Sequence, residues 1–154
     1  MANYVFNIAK GRIGELFNRV DGNDPANSAI ILVPLSASDT EANAQDADDL
    51  TAALATAINE QSASGWARVT LTDAQLAATN SEVDDTNNRW DVSLPQTSLG
   101  SPTAGSTTGV LVCYDPDTTA GTDANIVPLL HLDMTTTGDS NEKVINAGDI
   151  FRAS

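Results

Sequence analysis

Apolar residues recur at every second position in several short segments, and this pattern predicts β-strands. RWDVSL at 89–94 alternates clearly, and YVFNIA at 4–9 places Tyr4, Phe6 and Ile8 on one face. The run AIILVPL at 29–35 predicts a buried strand that ends at Pro34, near an edge or a bulge. Further strands are expected at 66–71, 110–114 and 126–134, with a final strand or hairpin at 143–154.

The segment KGRIGELFNRV at 10–20 fits neither a strand nor a helix cleanly. Gly11 and Gly14 disfavour a helix, so a bent strand with Ile13 and Phe17 facing inward is the preferred interpretation. Two further segments, 80–88 and 95–109, are rich in acidic or small turn-forming residues and are expected to be surface loops.

Helical periodicity is clear in one place, near 46–59. Leu50, Leu54 and Ile58 recur at intervals of four and predict an apolar stripe, and acidic residues gather near the start of this helix. A short helical turn is expected near 73–78, where Thr72 and Gln75 form a capping box. With about eight strands and one inserted helix, the chain is predicted to be a single domain, 1–154, of the mainly β (α+β) class, an antiparallel β-sandwich or an open barrel.

The chain has 154 residues and a formal net charge of −14. Such a charge repels nucleic acid and anionic membrane, so neither is an expected partner. The N-terminal sequence lacks a long apolar core, and no stretch approaches 18 apolar residues, so we expect cytoplasmic synthesis without a classical export signal.

Residues suited to catalysis or metal binding are few. Cys113 and His131 are the only cysteine and histidine, and both lie in apolar runs, so a structural role is expected for each. Trp66 and Trp90 are interpreted as strand residues that anchor the core. The loop YDPDTTAGTDAN at 114–125 has acidic residues but departs from the EF-hand pattern at the glycine and final glutamate positions, so it is interpreted as a turn. We therefore predict a protein that is not an enzyme and has no catalytic residues, cofactor or metal.

Three of the seven basic residues, Lys10, Arg12 and Arg19, lie within ten positions. On so acidic a chain, this cluster suits docking to an acidic partner surface. The alternative is local pairing with Glu15 or Asp21.

A series of phrases along most of the chain resembles small virion structural proteins of tailed bacteriophages: FNIAKGRIGELFNRV, NDPANSAIILVPL, ARVTLTDAQLAA, DDTNNRWDVSLP, VLVCYDPDTTAGTDANIVPL and NAGDIFRAS. The similarity departs mainly near 36–45 and 95–108. The resemblance implies a capsid decoration (cement) or minor head protein on the head surface of the virion, made in the bacterial host cytoplasm. Its implied partner is the major capsid protein, and a homo-oligomer, favoured as a trimer, is also implied.

On this hypothesis, residues 1–20 form an N-terminal docking arm or strand. Its candidate capsid contacts are Tyr4, Phe6, Lys10, Arg12, Ile13, Phe17 and Arg19. Two other functions stay open: a neck, tail or fibre-associated phage protein, and a glycan- or host-surface-binding β module that uses the loops around Trp90 and Asp115.

Overall fold

The computed structural model describes residues 2–76 and 81–153, and for 81–84 it describes the backbone only. The strands are β1 (Tyr4–Val5), β2 (Ala29–Ala37), β3 (Asn59–Glu60), β4 (Val69–Leu71), β5 (Ser81–Asp84), β6 (Arg89–Leu94), β7 (Thr97–Ser98), β8 (Ser106–Asp115), β9 (Val127–Thr137), β10 (Val144–Ile145) and β11 (Gly148–Ala153). The helices are α1 (Ile13–Asp21), α2 (Glu41–Ala44), α3 (Leu50–Leu54) and α4 (Asp73–Leu76), with 3₁₀ turns at Asn7–Ala9 and Asp123–Asn125.

Three antiparallel sheets make up the β structure, which confirms the predicted mainly β class. The main sheet has the order β1-β9-β8-β2-β3, with β4 also pairing with β2. A second sheet has the order β11-β6-β5, and β10 pairs with β7. The C-terminal strands therefore pair with β6 and β7, and not with each other as a hairpin.

Strand β2 lies inside the main sheet, between β8 and the short strands β3 and β4, and is covered on both faces. Ile30 and Leu32 point into a cluster that includes residues of α1 and β6, whereas Ile31 and Val33 point into a cluster that includes residues of α3. This explains why its sequence is apolar from Ala29 to Leu35, since a strand buried on both faces does not alternate.

Pro34 does not end β2, which continues to Ala37. Its carbonyl accepts from Gln61 N at 2.9 Å, so its backbone faces the side where β4 and β3 pair. Pairing with β4 stops at Leu32 and pairing with β3 starts at Leu35, so Pro34 lies in the gap between them. A proline is tolerated there because no partner strand requires its missing N–H.

The segment predicted as a bent strand is the helix α1. Ile13, Leu16, Phe17 and Val20 are all buried, and their spacing forms one helical stripe. Gly11 has φ of +79° and precedes the helix, so it helps the chain turn into α1 and does not weaken the helix interior. The prediction that Ile13 and Phe17 face inward is confirmed.

The helix predicted near 46–59 is much shorter, because α3 ends at Leu54. Asp49 caps it by accepting from Ala52 N at 2.7 Å, as expected of an acidic residue at a helix start. Ile58 reaches the same core cluster as Leu50 from outside the helix. The chain must leave the helix here because Asn59 begins the strand that pairs with β2.

The remaining boundaries also differ in places from the sequence pattern. Helix α4 covers the start of the turn predicted near 73–78, and Thr72 N donates to Gln75 Oε1 at 2.9 Å as predicted; residues 77 and 78 lie outside the described residues. The segments predicted as loops at 80–88 and 95–109 contain β5, β7 and the start of β8.

Candidate functional site

An apolar groove of about 260 Å³ lies between the start of α1 and the sheet formed by β6 and β11. One wall is formed by Gly11 and the first turn of α1, and the other by β6 and β11. The lining residues are Gly11, Ile13, Gly14, Glu15, Trp90, Val92, Phe151 and Ala153. We call this the Trp90 groove.

The alternation of β6 builds one wall of the Trp90 groove. Trp90, Val92 and Leu94 share a face of β6, and helix α1 packs against this strand. Leu94 and Val92 are buried at 0% and 1% exposure, whereas Trp90 is 37% exposed. Burial therefore decreases toward the start of the strand, and Trp90 is the exposed large hydrophobic side chain among the described residues. The prediction that Trp90 anchors the core is wrong.

Trp66 behaves as predicted in burial but not in secondary structure. It is 7% exposed and precedes β4, and its indole N–H donates to the carbonyl of Ala104 at 3.0 Å. The two tryptophans therefore differ: Trp66 stabilises the core, and Trp90 borders a surface groove.

The opposite face of the β6–β11 sheet is charged. Asp91 forms ion pairs with Arg89 at 2.7 Å and with Arg152 at 2.7 Å, and Arg152 also pairs with Asp149 at 2.8 Å. The Arg152–Asp91 pair connects β11 to β6 on the face that does not form the groove. A bulge between Asp149 and Phe151 interrupts β11, and bulged edges disfavour addition of a further strand. The groove, and not the strand edge, is therefore the better contact surface.

Two members of the basic cluster, Lys10 and Arg12, flank the lining residue Gly11 in the chain, and we call these two cations the basic rim. Glu15 pairs with Arg12 at 3.7 Å and with Arg19 at 3.0 Å, so the local-pairing interpretation is confirmed for both arginines. Lys10 Nζ donates to the Asn7 side chain at 2.6 Å. The side chains of Arg12 and Arg19 stay about half exposed. Two arginines thus share one carboxylate, so the cluster with Lys10 keeps a net positive charge on a strongly negative protein.

The four apolar docking candidates are part of the chain's own core. Tyr4 is 5% exposed, Ile13 is 1% exposed, and Phe6 and Phe17 are fully buried. In this structure the segment 2–20 is therefore integrated into the domain and does not project as a free arm. Of the four, Ile13 also borders the Trp90 groove.

Cys113 and His131 both lie in the interior of the protein. Burial raises the pKa of the Cys113 thiol, so it stays protonated and unreactive. His131 is fully buried in β9, and burial lowers the pKa of its imidazole. Both side chains are fully buried in the interior, as expected for residues in apolar runs.

The loop at 114–125 is held by its own side chains. Asp115 Oδ1 accepts from Asp117 N at 3.0 Å, and Asp117 Oδ1 accepts from Thr119 N at 3.0 Å. The hydrogen bond from Thr119 lowers the pKa of Asp117. These are the local bonds of turn-forming aspartates, and they confirm the turn interpretation. Within the described part of the chain, no group of three or more histidine, cysteine or acidic side chains is arranged to hold a metal ion.

Sequence reasoning identified Arg12 and Ile13 at this surface but missed Phe151 and the exposure of Trp90. Alternation in RWDVSL places Trp90 and Val92 on one face, but it does not show where α1 stops covering that face. The pairing of Phe151 with Val92 and of Ala153 with Trp90 connects residues about sixty positions apart, and no local signal predicts that register.

Among the described residues, no helix has the length and apolar character needed to cross a membrane. Comparisons with protein-family models, with curated proteins and with solved structures found no match to this chain.

Proposed function

We propose that this chain is a non-enzymatic structural protein of a bacteriophage virion, and that it decorates and stabilises the outer surface of the head. The resemblance of its sequence to small virion proteins supports the class. The observation that carries the docking model is the exposed Trp90, which lies in an apolar groove beside a basic rim.

The Trp90 groove has the features of a protein-binding surface. Tryptophan and arginine are enriched among residues that dominate binding energy, because each combines a large contact area with polar groups. The groove lining has one charged residue, Glu15, and the lining residue Gly11 lies between Lys10 and Arg12 in the chain. We propose that the major capsid protein inserts an apolar side chain beside Trp90 and presents carboxylates to the two cations.

Multivalency supports this model energetically. Many weak copies, bound at symmetry-related sites or linked as a homo-oligomer such as a trimer, give strong overall attachment through avidity. Each individual contact then needs only a small surface, which suits a groove of about 260 Å³.

The number of copies per virion is the first test. The ratio of this chain to the major capsid protein in purified particles is measured by quantitative mass spectrometry. A ratio near one, or hundreds of copies, is expected for head decoration. A dozen copies or fewer would assign the chain to the neck, tail or fibre, and none would overturn the virion assignment.

The docking surface is tested with purified heads that lack this chain. Added wild-type protein is sedimented with the heads, and bound protein is quantified. We expect Trp90→Ala to reduce binding by roughly tenfold or more, and the double variant Lys10→Gln with Arg12→Gln to reduce binding and its salt dependence. Trp90→Ala that is folded and binds at wild-type occupancy would contradict the docking model.

A charge-matched control is available for the double variant. Ser62→Glu with Gln96→Glu changes the net charge by the same amount, and both of these residues are exposed. This control is expected to bind nearly as wild type, because neither residue lines the groove. An equal loss in both double variants would show that net charge, and not the basic rim, governs attachment.

One observation favours a second function, the binding of host-surface glycans. Exposed tryptophan offers an apolar face for a sugar ring, and Glu15 in the same groove offers a hydrogen-bond acceptor. Titration with purified host polysaccharide, followed by tryptophan fluorescence, tests this function. Saturable quenching that Trp90→Ala abolishes would favour glycan binding, and loss of binding with a chelator would show that calcium takes part.

A further inference from the structure

The N-terminal strand is held to the main sheet by an aromatic stack on the histidine. Tyr4 of β1 pairs with His131 of β9, and their rings stack with centroids 4.8 Å apart and planes inclined by 4°. Tyr4 also contacts Phe6, with ring centroids 5.4 Å apart. Strand β1 has two residues, so the segment also depends on side-chain contacts such as this stack and the burial of Phe6.

The position of the imidazole is defined closely on its other sides. His131 Nε2 forms a hydrogen bond with Ser38 Oγ at 3.0 Å, and Ser38 Oγ bonds to Thr108 Oγ1 at 2.8 Å. Gly109 lies so close that a Cβ there would be 2.4 Å from Nε2. The ring therefore fits a fully buried pocket shaped around an imidazole.

The charged groups near this pocket do not form a salt bridge with the imidazole within the described residues. Burial opposes protonation of the ring and is the largest effect, whereas the backbone carbonyl of Ala2 and Asp133 of β9 favour the protonated ring. Next to Tyr4 are Asp39 and Glu41.

The carboxylate of Asp39 accepts hydrogen bonds from three other groups. It accepts from Thr40 N at 2.7 Å, from the Asn43 side chain at 3.1 Å and from Ala57 N at 3.2 Å. These bonds fix the position of the Asp39 carboxylate, and the described hydrogen bond of the imidazole goes to Ser38 instead.

We infer that the Tyr4–His131 stack is an acid-sensitive latch, which holds residues 2–9 on the sheet at neutral pH and releases them when His131 is protonated. Release would expose Tyr4 and Phe6, which are buried in the closed form. The inference rests on the buried pocket and the stack, and it holds whether or not the chain binds a capsid.

The direction of the pH effect follows from proton linkage. Burial lowers the pKa of His131 in the latched form, while the released side chain regains its ordinary pKa of about 6.5. The latch is therefore at full strength above about pH 7 and weakens as the pH falls below the released pKa of about 6.5. At pH 5 the released state is favoured by at most about thirtyfold relative to pH 7.5. This is the limit for an imidazole that is never protonated in the latched form.

Amide hydrogen exchange measured by NMR tests the latch in the whole protein. The probes are Phe6 N–H and Asn7 N–H, which donate to Leu129 O at 3.0 Å and Gln45 O at 2.7 Å. Protection factors, which correct for intrinsic exchange, are compared at pH 7.5 and pH 5. We expect protection at these two amides to fall roughly tenfold in the wild type, with little change at the centre of the β2–β8 pair.

The matched variant is His131→Phe, which keeps a flat ring for stacking but does not titrate. Its protection at Phe6 and Asn7 is expected to be the same at both pH values. His131→Gln replaces it if the phenylalanine variant does not fold. The inference is overturned if wild-type protection is unchanged at pH 5, if the variant loses protection equally, or if the β2–β8 amides lose as much as Phe6.

Discussion

Replacing Gly109 with alanine probes the pocket around His131 directly. The added Cβ would lie 2.4 Å from His131 Nε2 and 3.0 Å from both His131 Cε1 and the carbonyl oxygen of Leu132. Contacts this short require movement. The ring is buried and stacked on Tyr4, so it has no free space to move into.

The expected cost can be assembled from its parts. Inserting a methyl group into a filled core costs about 1–3 kcal/mol. Displacing the ring also weakens the stack on Tyr4, by about 0.5–1.5 kcal/mol, and the bond to Ser38, by a similar amount. We therefore expect Gly109→Ala to lower the free energy of unfolding by about 3 kcal/mol, equivalent to a fall in Tm of roughly 6–12 °C.

A double-mutant cycle separates the clash from other effects. In a His131→Ala background the ring is gone, so Gly109→Ala should cost less than about 1 kcal/mol, because alanine in a strand restricts the unfolded chain more than glycine does. The coupling energy between the two positions should therefore be about 2 kcal/mol or more.

Equilibrium urea unfolding, followed by far-UV circular dichroism at pH 7.5, measures all four proteins of the cycle. Gly22→Ala is the control, since Gly22 ends α1 with φ of −81° and its Cβ would lie 3.3 Å from the Asn18 carbonyl. We expect the control to change stability by less than about 1 kcal/mol. Equal costs of Gly109→Ala in the two backgrounds would refute the described position of the imidazole.

Two further predictions concern ion pairs away from the groove. Arg68 donates to Glu60 at 2.8 Å and 2.7 Å and to Asp123 at 2.6 Å and 2.9 Å, so Arg68→Met should cost about 2 kcal/mol at pH 7 in urea unfolding. The difference in unfolding free energy should shrink below about pH 4. Arg68 lowers the pKa of Asp123, and protonation of the Asp123 carboxylate at low pH removes the ion pair. A difference that does not change with pH would contradict this. Carbon-detected NMR titration should give Asp139 a pKa of about 2, and Lys143→Gln should raise it toward about 4; an unchanged pKa would exclude Lys143 as the main cause.

Much of the fold could be predicted because its signals are local. The alternation of apolar and polar residues at 89–94 predicted β6, and the strand begins and ends at the predicted residues. The pairing of Thr72 with Gln75 and the Asp49 cap depend on residues three positions apart, so the chain itself specifies them. The turn bonds of Asp115 and Asp117 likewise connect near neighbours.

The errors occurred where distant contacts override local preference. Gly11 and Gly14 suggested a strand. The apolar residues from Ile13 to Val20 nevertheless form a helix, because helical spacing lets them all pack into the same core. The stripe from Leu50 to Ile58 suggested a long helix, but pairing of Asn59 with β2 ends it early. Local propensities differ by less than about 1 kcal/mol per residue, and burial of one large side chain contributes more.

By itself, the sequence determined that the protein is an acidic, mainly β domain with one cysteine and one histidine in apolar strands. It also determined the short turns and helix caps, since these depend on neighbouring residues. Only the tertiary structure decided that Trp90 is exposed beside Phe151 and that Tyr4 stacks on His131. The physical reason is strand register: each contact joins residues far apart in the chain, and a shift of one residue would turn the same side chains to the opposite face.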